Sequence, residues 1–175
     1  MSKLPNHLGG HQNKTHVDEG ALKWLIELGY DSLLDLGCGP GGQVRLAKSL
    51  GMIAEGVDGD PGCHPTYLHD FTLHPTTFPY ADVIWSVEFF EHVEEKYVVN
   101  VFRTLDQICP KLIITSCAPP GAPGHHHVNC RNSEYWAGAF TAYGFLHKPK
   151  LTTQLRKAST MKRNFIRDHG RVYER

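Results

Sequence analysis

Two acidic side chains and a histidine follow a short apolar run in the spacing ExxEH, as Glu88, Glu91 and His92. If this stretch curls into a helical turn, positions i, i+3 and i+4 share one face. Two carboxylates and an imidazole in that arrangement suit a divalent cation, since oxygen donors favour magnesium and an imidazole allows manganese or zinc. Without a metal, Glu88 or His92 is a candidate general base.

Three consecutive histidines, His125 to His127, lie in PPGAPGHHH, which is too rich in Pro and Gly for regular structure. This segment follows a predicted strand, where α/β proteins place ligand-binding loops. We therefore predict His126 as a fourth metal ligand, and His126 and His127 as candidate catalytic residues beside Glu88 and His92. A solvated surface position is the alternative for each loop histidine.

A glycine-rich stretch, LLDLGCGPGG at residues 33–42, connects a predicted strand to a predicted helix. Gly37, Gly39 and Gly42 satisfy GxGxxG, and Asp58 follows at a spacing that also fits an NAD-binding fold. However, Asp35 lies just before the first glycine. A carboxylate there disfavours a pyrophosphate and favours a cation, such as the amino group of a bound amino acid.

The elements that must position these residues alternate between strand and helix, which predicts a doubly wound α/β sheet. Apolar residues at helical spacing and glycine stops predict helices over residues 15–28, 43–50, 94–108, 133–143 and 152–162. Apolar runs predict strands over residues 32–36, 53–57, 67–71, 82–87, 111–117 and 145–149, with a final strand or hairpin in 164–173.

Several motifs, in order, resemble those of class I S-adenosylmethionine-dependent methyltransferases. They are DLGCGPGG, GVDGDP at residues 56–61, HDFT at 69–72, DVIWSVEFFEHV at 82–93 and KLIITSCAPP at 111–120. The resemblance implies a Rossmann-like, seven-stranded, mostly parallel sheet with helices on both faces. It also implies one methyltransferase domain over residues 15–175, preceded by an irregular segment, 1–14, that could cover the cofactor.

The resemblance also implies a set of residues around S-adenosylmethionine: Asp35, Gly37, Cys38, Gly39, Gly41, Asp58, Gly59, His69, Asp70, Phe71, Ser86 and Val87. The glycine loop would surround the methionine part, and Asp58 would accept hydrogen bonds from both ribose hydroxyls. Asp70 would face the adenine amino group, whereas Ser86 and Val87 would form the floor.

Residues similar to ExxEH serve as metal ligands in two methyltransferase groups that the sequence resembles. These are the ubiquinone-pathway catechol O-methyltransferases and the small-RNA 3′-terminal 2′-O-methyltransferases. The resemblance implies metal ligands at Glu88, Glu91, His92 and His126, with magnesium as one candidate ion. Many methyltransferases carry the same EHV pattern with no metal known, so a pocket-lining role stays open. His7, His11 and His16 are expected to be solvent-exposed, with a cofactor cover as the alternative.

Charge is distributed unevenly along the 175 residues. The 18 basic and 18 acidic side chains cancel, but residues 148–175 hold 9 basic and only 2 acidic ones. The leading hypothesis is methyl transfer to an O or N nucleophile of a small molecule. The alternative is an RNA or nucleotide-linked acceptor bound along the basic C-terminal segment. A non-catalytic cofactor-binding protein and an NAD-dependent enzyme are less favoured.

The rest of the composition bears on location and assembly. Five cysteines without a CxxC pair indicate reduced thiols in a cytoplasmic compartment. No apolar run is long enough for a membrane span, so no membrane partner is expected. The third strand and the helix after it look abbreviated, which leaves a dimer open.

Overall fold

The computed structural model describes residues 4–175, so the first three residues of the predicted irregular segment lie outside the described residues. One seven-stranded sheet has the order β3-β2-β1-β4-β5-β7-β6. Its strands are β1 Ser32–Leu36, β2 Ile53–Asp58, β3 Tyr67–Leu68, β4 Val83–Val87, β5 Leu112–Ser116, β6 Leu146–His147 and β7 Arg171–Glu174. The predicted mostly parallel Rossmann-like sheet is confirmed.

The sheet reverses its strand order beside β1. The β1 strand pairs in parallel with both β2 and β4, and β4 pairs in parallel with β5. β7 lies between β5 and β6 and runs antiparallel to both. In open α/β sheets a ligand crevice forms outside the carboxyl ends of the strands at such a switch point. The glycine-rich loop, which follows β1, therefore lies at the expected position for a binding site.

Helices cover both faces of the sheet. They are α1 Glu19–Glu27, α2 Gly42–Ser49, α3 Glu95–Ile108, α4 Ser133–Ala142 and α5 Pro149–Ala158. Successive residues of a strand point to opposite faces, and Leu33 and Leu34 of β1 accordingly belong to different apolar clusters. One cluster includes side chains of α3 and α4, and the other includes side chains of α1, α2 and α5. No helix within residues 4–175 is long and apolar enough to cross a membrane.

Two helices begin at residues other than those predicted, for local reasons. Helix α1 begins after Asp18, whose Oδ1 accepts the Ala21 N–H at 3.0 Å, and not at Thr15. Thr15 Oγ1 instead accepts the N–H of Gly42 at 3.1 Å. Helix α5 begins earlier than predicted, at Pro149, because a proline suits the first helical turn.

The final predicted strand is also shorter than expected. A single π-helical turn, Phe165–His169, precedes β7. The third strand pairs with β2 only at Tyr67 and Leu68.

Candidate active site

A cavity of about 430 Å³ opens at the carboxyl ends of β1, β2 and β4. Gly37 and Gly39 line it after β1, Asp58 at the end of β2, and Glu88 after β4. Residues predicted for the cofactor and residues predicted for catalysis therefore border the same space. A cavity of this size is within the usual range for small-molecule sites.

The glycine loop requires glycine at the positions that approach the cavity. Gly37 has φ +76°, and a Cβ there would lie 2.4 Å from Cδ2 of Phe89. Its N–H donates to the carbonyl of Val57 at 2.9 Å, which ties the loop to β2. Gly39, with φ +50°, donates its N–H to Asp58 Oδ2 at 2.8 Å. Because these two glycines have no side chain, a ligand can contact the main chain of the loop directly.

Two carboxylates lie side by side beneath this loop. Asp35 is 4% exposed, and burial, together with the charge of Asp58, raises its pKa to about 8. Asp58 uses Oδ2 for Gly39 and Oδ1 for the N–H of Asp60, at 2.8 Å each. A carboxylate offers about four acceptor positions, so Asp58 retains acceptor capacity toward the cavity. A ligand cation next to Asp35 would favour its ionised form and lower its pKa.

Asp70 and Phe71 line the cavity beyond β3. The Asp70 carboxylate accepts a hydrogen bond from His7 Nε2 at 2.7 Å and one from the Thr72 N–H at 2.8 Å. Burial acts to raise the pKa of Asp70, but these hydrogen bonds outweigh it and the pKa lies below its usual value. Phe71 is buried and His69 packs edge-on against its ring at 4.8 Å. The Asp70 carboxylate, which accepts hydrogen bonds, therefore lies next to the flat apolar ring of Phe71.

An N-terminal strap, residues 7–11, forms one wall of the cavity. A Cβ on Gly59 would lie 2.5 Å from Leu8 Cδ2, and one on Gly39 would lie 2.8 Å from His11 Cβ. The strap therefore rests directly on the cofactor loops. The expected solvent exposure of His7 and His11 is wrong, because both side chains are partly buried against Asp70 and Asp60. His16 is exposed but also borders the cavity.

His11, Asp60 and Cys63 place metal-ligand atoms within 4.8 Å of one another. In this structure the group instead attaches the strap to the loop after β2 through the hydrogen bond between His11 and Asp60. His11 Nδ1 accepts the Asn13 N–H at 2.9 Å, so the ring proton is on Nε2, which donates to Asp60 at 3.1 Å. A protonated Nε2 offers no lone pair to a metal.

Glu88 occupies a strained position at the end of β4. Its φ is +54°, which is unusual for a residue with a side chain and costs about 1–3 kcal/mol. The Ser116 hydroxyl donates to Glu88 Oε1 at 2.7 Å, and the Glu88 N–H donates to the Ser116 carbonyl at 3.0 Å. Burial raises the pKa of Glu88 despite the Ser116 hydrogen bond. The backbone is held in this conformation at the edge of the cavity, where a carboxylate can face a substrate.

Glu91, His92 and His127 form a second group of close donor atoms, all within 4.8 Å of one another. Glu91 is fully buried, and neither carboxylate oxygen has a hydrogen-bond partner among residues 4–175. Burial and the Glu88 charge raise the Glu91 pKa well above its usual value. Burial and then His127 lower the pKa of His92 to about 4, so this imidazole is neutral near pH 7.

No protein-family model and no curated protein matches the sequence. A sugar N-methyltransferase from Streptoalloteichus is 12% identical over 89% of this chain and 87% of that chain, with a TM-score of 0.63. The magnesium protoporphyrin IX methyltransferase from Synechocystis, solved with S-adenosylhomocysteine, is 16% identical over 89% and 80%, with a TM-score of 0.59. A methyltransferase from Archaeoglobus fulgidus is 15% identical over 90% and 92%, with a TM-score of 0.60.

The chain has the class I methyltransferase fold. Within this fold the cavity brings together most of the residues predicted for the cofactor. Those that line it are Asp35, Gly37, Cys38, Gly39, Asp58, Gly59, His69, Asp70, Phe71 and Val87.

Two predicted cofactor residues of the methyltransferase fold lie elsewhere. Ser86 is fully buried outside the cavity lining, because strand alternation turns it away from the face of Trp85 and Val87. Gly41 is the residue before α2, with φ +72°, and lies behind the lining residues.

The predicted catalytic and metal residues divide in a similar way. Glu88, His92 and His127 line the cavity, whereas Glu91 lies behind it. His126 does not line the cavity and does not belong to the group of Glu91, His92 and His127. Its backbone is left-handed, with φ +48°, and its ring lies 6.3 Å from that of His7. His127, the next residue, approaches His92 and Glu91 in its place.

Several residues that line the cavity were not predicted from the sequence as part of the site: Lys14, Gln43, Phe89 and Arg163. Gln43 begins the helix after the glycine loop, and Phe89 directly follows Glu88 in the motif at residues 82–93. Lys14 and Arg163 reach the cavity through contacts between distant parts of the chain.

Proposed function

We propose that the protein is an S-adenosylmethionine-dependent methyltransferase that methylates an O or N nucleophile of a small molecule. One observation carries the proposal. A single cavity joins the glycine loop, Asp58 and Asp70 on one side to Glu88, His92 and His127 on the other. The first group has the chemistry to hold a cofactor, and the second the chemistry to receive a proton from an acceptor.

The cofactor fits the donor and acceptor pattern of the first group. Asp35, with its raised pKa, suits the positively charged amino group of the methionine part. The free acceptor capacity of Asp58 suits the ribose hydroxyls, and Phe71 beside Asp70 suits an adenine ring and its amino group. S-adenosylhomocysteine and S-adenosylmethionine are both bound by the magnesium protoporphyrin IX methyltransferase. NAD fits less well, because its pyrophosphate would lie at the glycine loop next to Asp35.

The proposed reaction passes the methyl group in line from the sulfonium to the acceptor atom and leaves S-adenosylhomocysteine. The protein contributes by holding the two reactants close together in a cavity that the strap shields from solvent. Without a metal, Glu88 and His92, which face the same space, are the candidates to take the acceptor proton; Glu88 is the stronger base, because burial lowers the pKa of His92 to about 4. Ser116 fixes the Glu88 carboxylate through its hydrogen bond.

A divalent metal fits the group of Glu91, His92 and His127, with Glu88 beside it. No described residue forms a hydrogen bond with the buried Glu91 carboxylate or with Nδ1 of His92. Both groups are therefore available to coordinate a metal ion. A bound metal would lower the pKa of an acceptor hydroxyl. We propose these residues as the holders of such an ion, with His127 in the place predicted for His126.

A small acceptor is favoured over RNA by the position of the basic residues. Among Arg156, Lys157, Lys162 and Arg163, only Arg163 borders the cavity. Arg156 instead donates Nε to the Gly170 carbonyl at 3.0 Å. A charged track leading from the C-terminal segment to the methyl-transfer site is therefore not continuous along these side chains.

Thermal stability in the presence of ligands tests the cofactor. We expect S-adenosylhomocysteine at 100 times its Kd to stabilise the protein by about 2.7 kcal/mol, and NAD to have no effect. The variant Asp58→Asn is expected to weaken this stabilisation, whereas Glu27→Gln, an exposed change of the same charge at the end of α1, leaves it intact. A shift with NAD alone, or no shift with either adenosyl compound, would overturn the proposal.

The metal is tested by comparing Glu91→Gln with Glu94→Gln, a carboxylate on the partly exposed turn before α3. We expect Glu91→Gln to abolish binding of Mn²⁺, measured by calorimetry, and Glu94→Gln to preserve it. Binding of S-adenosylhomocysteine should remain in both variants. Equal Mn²⁺ affinity in the two variants would show that Glu91 holds no metal.

A further inference from the structure

The first part of the strap lies between two loops that carry residues predicted for the cofactor. Gly59 follows β2, and Asp70 follows β3. A Cβ on Gly59 would lie 3.6 Å from the Cα of Asp70, so the two loops are direct neighbours. His7 and Leu8 of the strap line the cavity together with these two residues. A polar and an apolar side chain of the N-terminal segment therefore border the space expected for adenine.

Leu8 packs directly on the first of these loops. A Cβ on Gly59 would lie 2.5 Å from Leu8 Cδ2, so the leucine side chain touches the Gly59 backbone. A flat ring in van der Waals contact with both residues would need them about 7 Å apart, which is twice a usual carbon–carbon contact distance. An adenine ring therefore has no room between Leu8 and Gly59 while this contact persists.

His7 supplies to the second loop the kind of hydrogen bond that an adenine amino group would supply. Its Nε2 donates to Asp70 Oδ2 at 2.7 Å, whereas the Thr72 N–H donates to Asp70 Oδ1 at 2.8 Å. Both carboxylate oxygens thus already have a donor, and one of the two donors comes from the strap.

The strap is attached to the rest of the protein at two separate places. His125, in the loop after β5, donates Nε2 to the carbonyl oxygens of Asn6 at 2.9 Å and Leu8 at 3.1 Å. His11, farther along the strap, forms its own hydrogen bond with Asp60 at 3.1 Å. Residues 7 and 8 can therefore leave their positions while the His11 attachment stays in place.

We propose that His7 and Leu8 occupy the adenine subsite in the free protein and that the adenosyl cofactor displaces them when it binds. The imidazole N–H takes the place of the adenine amino group at Asp70, and the leucine takes the place of apolar ring surface. The apparent affinity for the cofactor is then reduced, because only molecules with an open subsite are competent to bind. The displacement rests on the proposed function, since it requires an adenosyl ligand.

Removing the competing side chain is the first test. Calorimetry measures the Kd of S-adenosylhomocysteine for His7→Ala, and we expect it to fall by about tenfold or more, because a hydrogen bond to a charged group no longer closes the subsite. A strap that only covers the bound cofactor predicts a higher Kd. The control, His64→Asn, replaces an exposed histidine outside the cavity lining, in a left-handed conformation that asparagine tolerates, and should leave the Kd unchanged.

Hydrogen exchange in the unmodified protein gives a second readout. The Leu8 N–H donates to the Pro5 carbonyl at 3.0 Å, and the Lys14 N–H donates to the His11 carbonyl at 2.8 Å. Followed by NMR, saturation with S-adenosylhomocysteine should speed exchange at Leu8 and not at Lys14.

The outcomes separate this displacement from the proposed function. If S-adenosylhomocysteine binds, an unchanged or higher Kd in His7→Ala, or unchanged or slower exchange at Leu8, would overturn the displacement and leave the proposed function intact. Binding by His7→Ala but not by the unmodified protein would support both. If neither protein binds S-adenosylhomocysteine, the proposed function fails, and the displacement fails with it.

Discussion

At the scale of single residues, Asp35 is the group whose chemistry depends most on what occupies the cavity. It is nearly fully buried beside a second carboxylate, and its pKa of about 8 keeps it largely protonated at neutral pH. A ligand cation would favour the ionised form, so the pKa falls when such a ligand binds. Binding and proton release are therefore linked at this residue.

This linkage predicts how affinity for S-adenosylhomocysteine depends on pH. Below about pH 8 the Asp35 proton must leave on binding, so affinity should increase between pH 6 and 8, by up to about tenfold per pH unit. Calorimetry in buffers with different ionisation enthalpies measures the released proton. Asp35→Asn should remove both the slope and the proton release. A slope that persists in this variant would assign the linkage to another group.

The same residue predicts a conflict between stability and binding. The folded pKa is raised above the unfolded value of 3.8, so ionisation opposes folding and stability is lost as pH rises from about 4 to about 8. Asp35→Asn should therefore stabilise the free protein at pH 7, by on the order of 2 kcal/mol, and have little effect near pH 4. Urea unfolding at the two pH values checks the sign.

At the scale of elements, the turn between β1 and α2 depends on two separate properties of glycine. Gly37 needs a left-handed backbone, and it also needs the space that Phe89 would otherwise share with a side chain. Gly51, which follows α2, has a similar φ of +92° but nothing within 4 Å of its missing Cβ. A side chain at Gly51 would thus cause backbone strain alone, whereas one at Gly37 would cause both backbone strain and a steric clash.

Alanine at these positions should have unequal effects. Gly51→Ala is expected to destabilise the protein by about 1 kcal/mol through strain alone and to leave S-adenosylhomocysteine binding unchanged. Gly37→Ala should cost about 1–3 kcal/mol more, because Phe89 must move, and should weaken binding. Chemical denaturation and calorimetry measure the two quantities. Equal losses would show that Phe89 adapts freely.

The sequence predicted elements well where a local pattern determines them. The β1 strand over residues 32–36 and the glycine loop are both found where apolar runs and glycines place them. Contacts between distant residues were not predictable in this way. His7 bonds Asp70 across 63 positions, and nothing local distinguishes it from a solvated histidine. Similarly, only the left-handed backbone at His126 decides that His127 approaches His92.

At the scale of the whole molecule, the sheet separates two apolar clusters with different neighbours. The cluster with α3 and α4 has an aromatic centre, in which Phe140 stacks on Tyr173 of β7 with ring centroids 4.2 Å apart. Phe140 also meets Phe90 and Phe102 edge-on. This packing holds the antiparallel strand β7 against the sheet, and Phe140 itself does not line the cavity.

Phe140→Ala should therefore reduce stability much more than binding. Removing a fully buried phenylalanine costs about 3–5 kcal/mol. Under conditions where the variant is folded, its affinity for S-adenosylhomocysteine should be close to that of the unmodified protein. Leu73→Ala, at a side chain that is 70% exposed, serves as the matched control and should change neither. A large loss of affinity in Phe140→Ala would connect the aromatic cluster to the cavity.

The strap at residues 7–11 bears on how fast the proposed cofactor is exchanged. It has no regular secondary structure, yet it lies on Gly39 and Gly59 and is fastened by hydrogen bonds to Asp60 and Asp70. If the proposed cofactor binds beneath the strap, exchange along this side of the cavity requires these contacts to separate. Each catalytic cycle would then include a step in which the strap opens, and the rate of this step would depend on the strap's hydrogen bonds and not on the acceptor. Where this opening is slower than methyl transfer, acceptors of different reactivity would be methylated at similar steady rates.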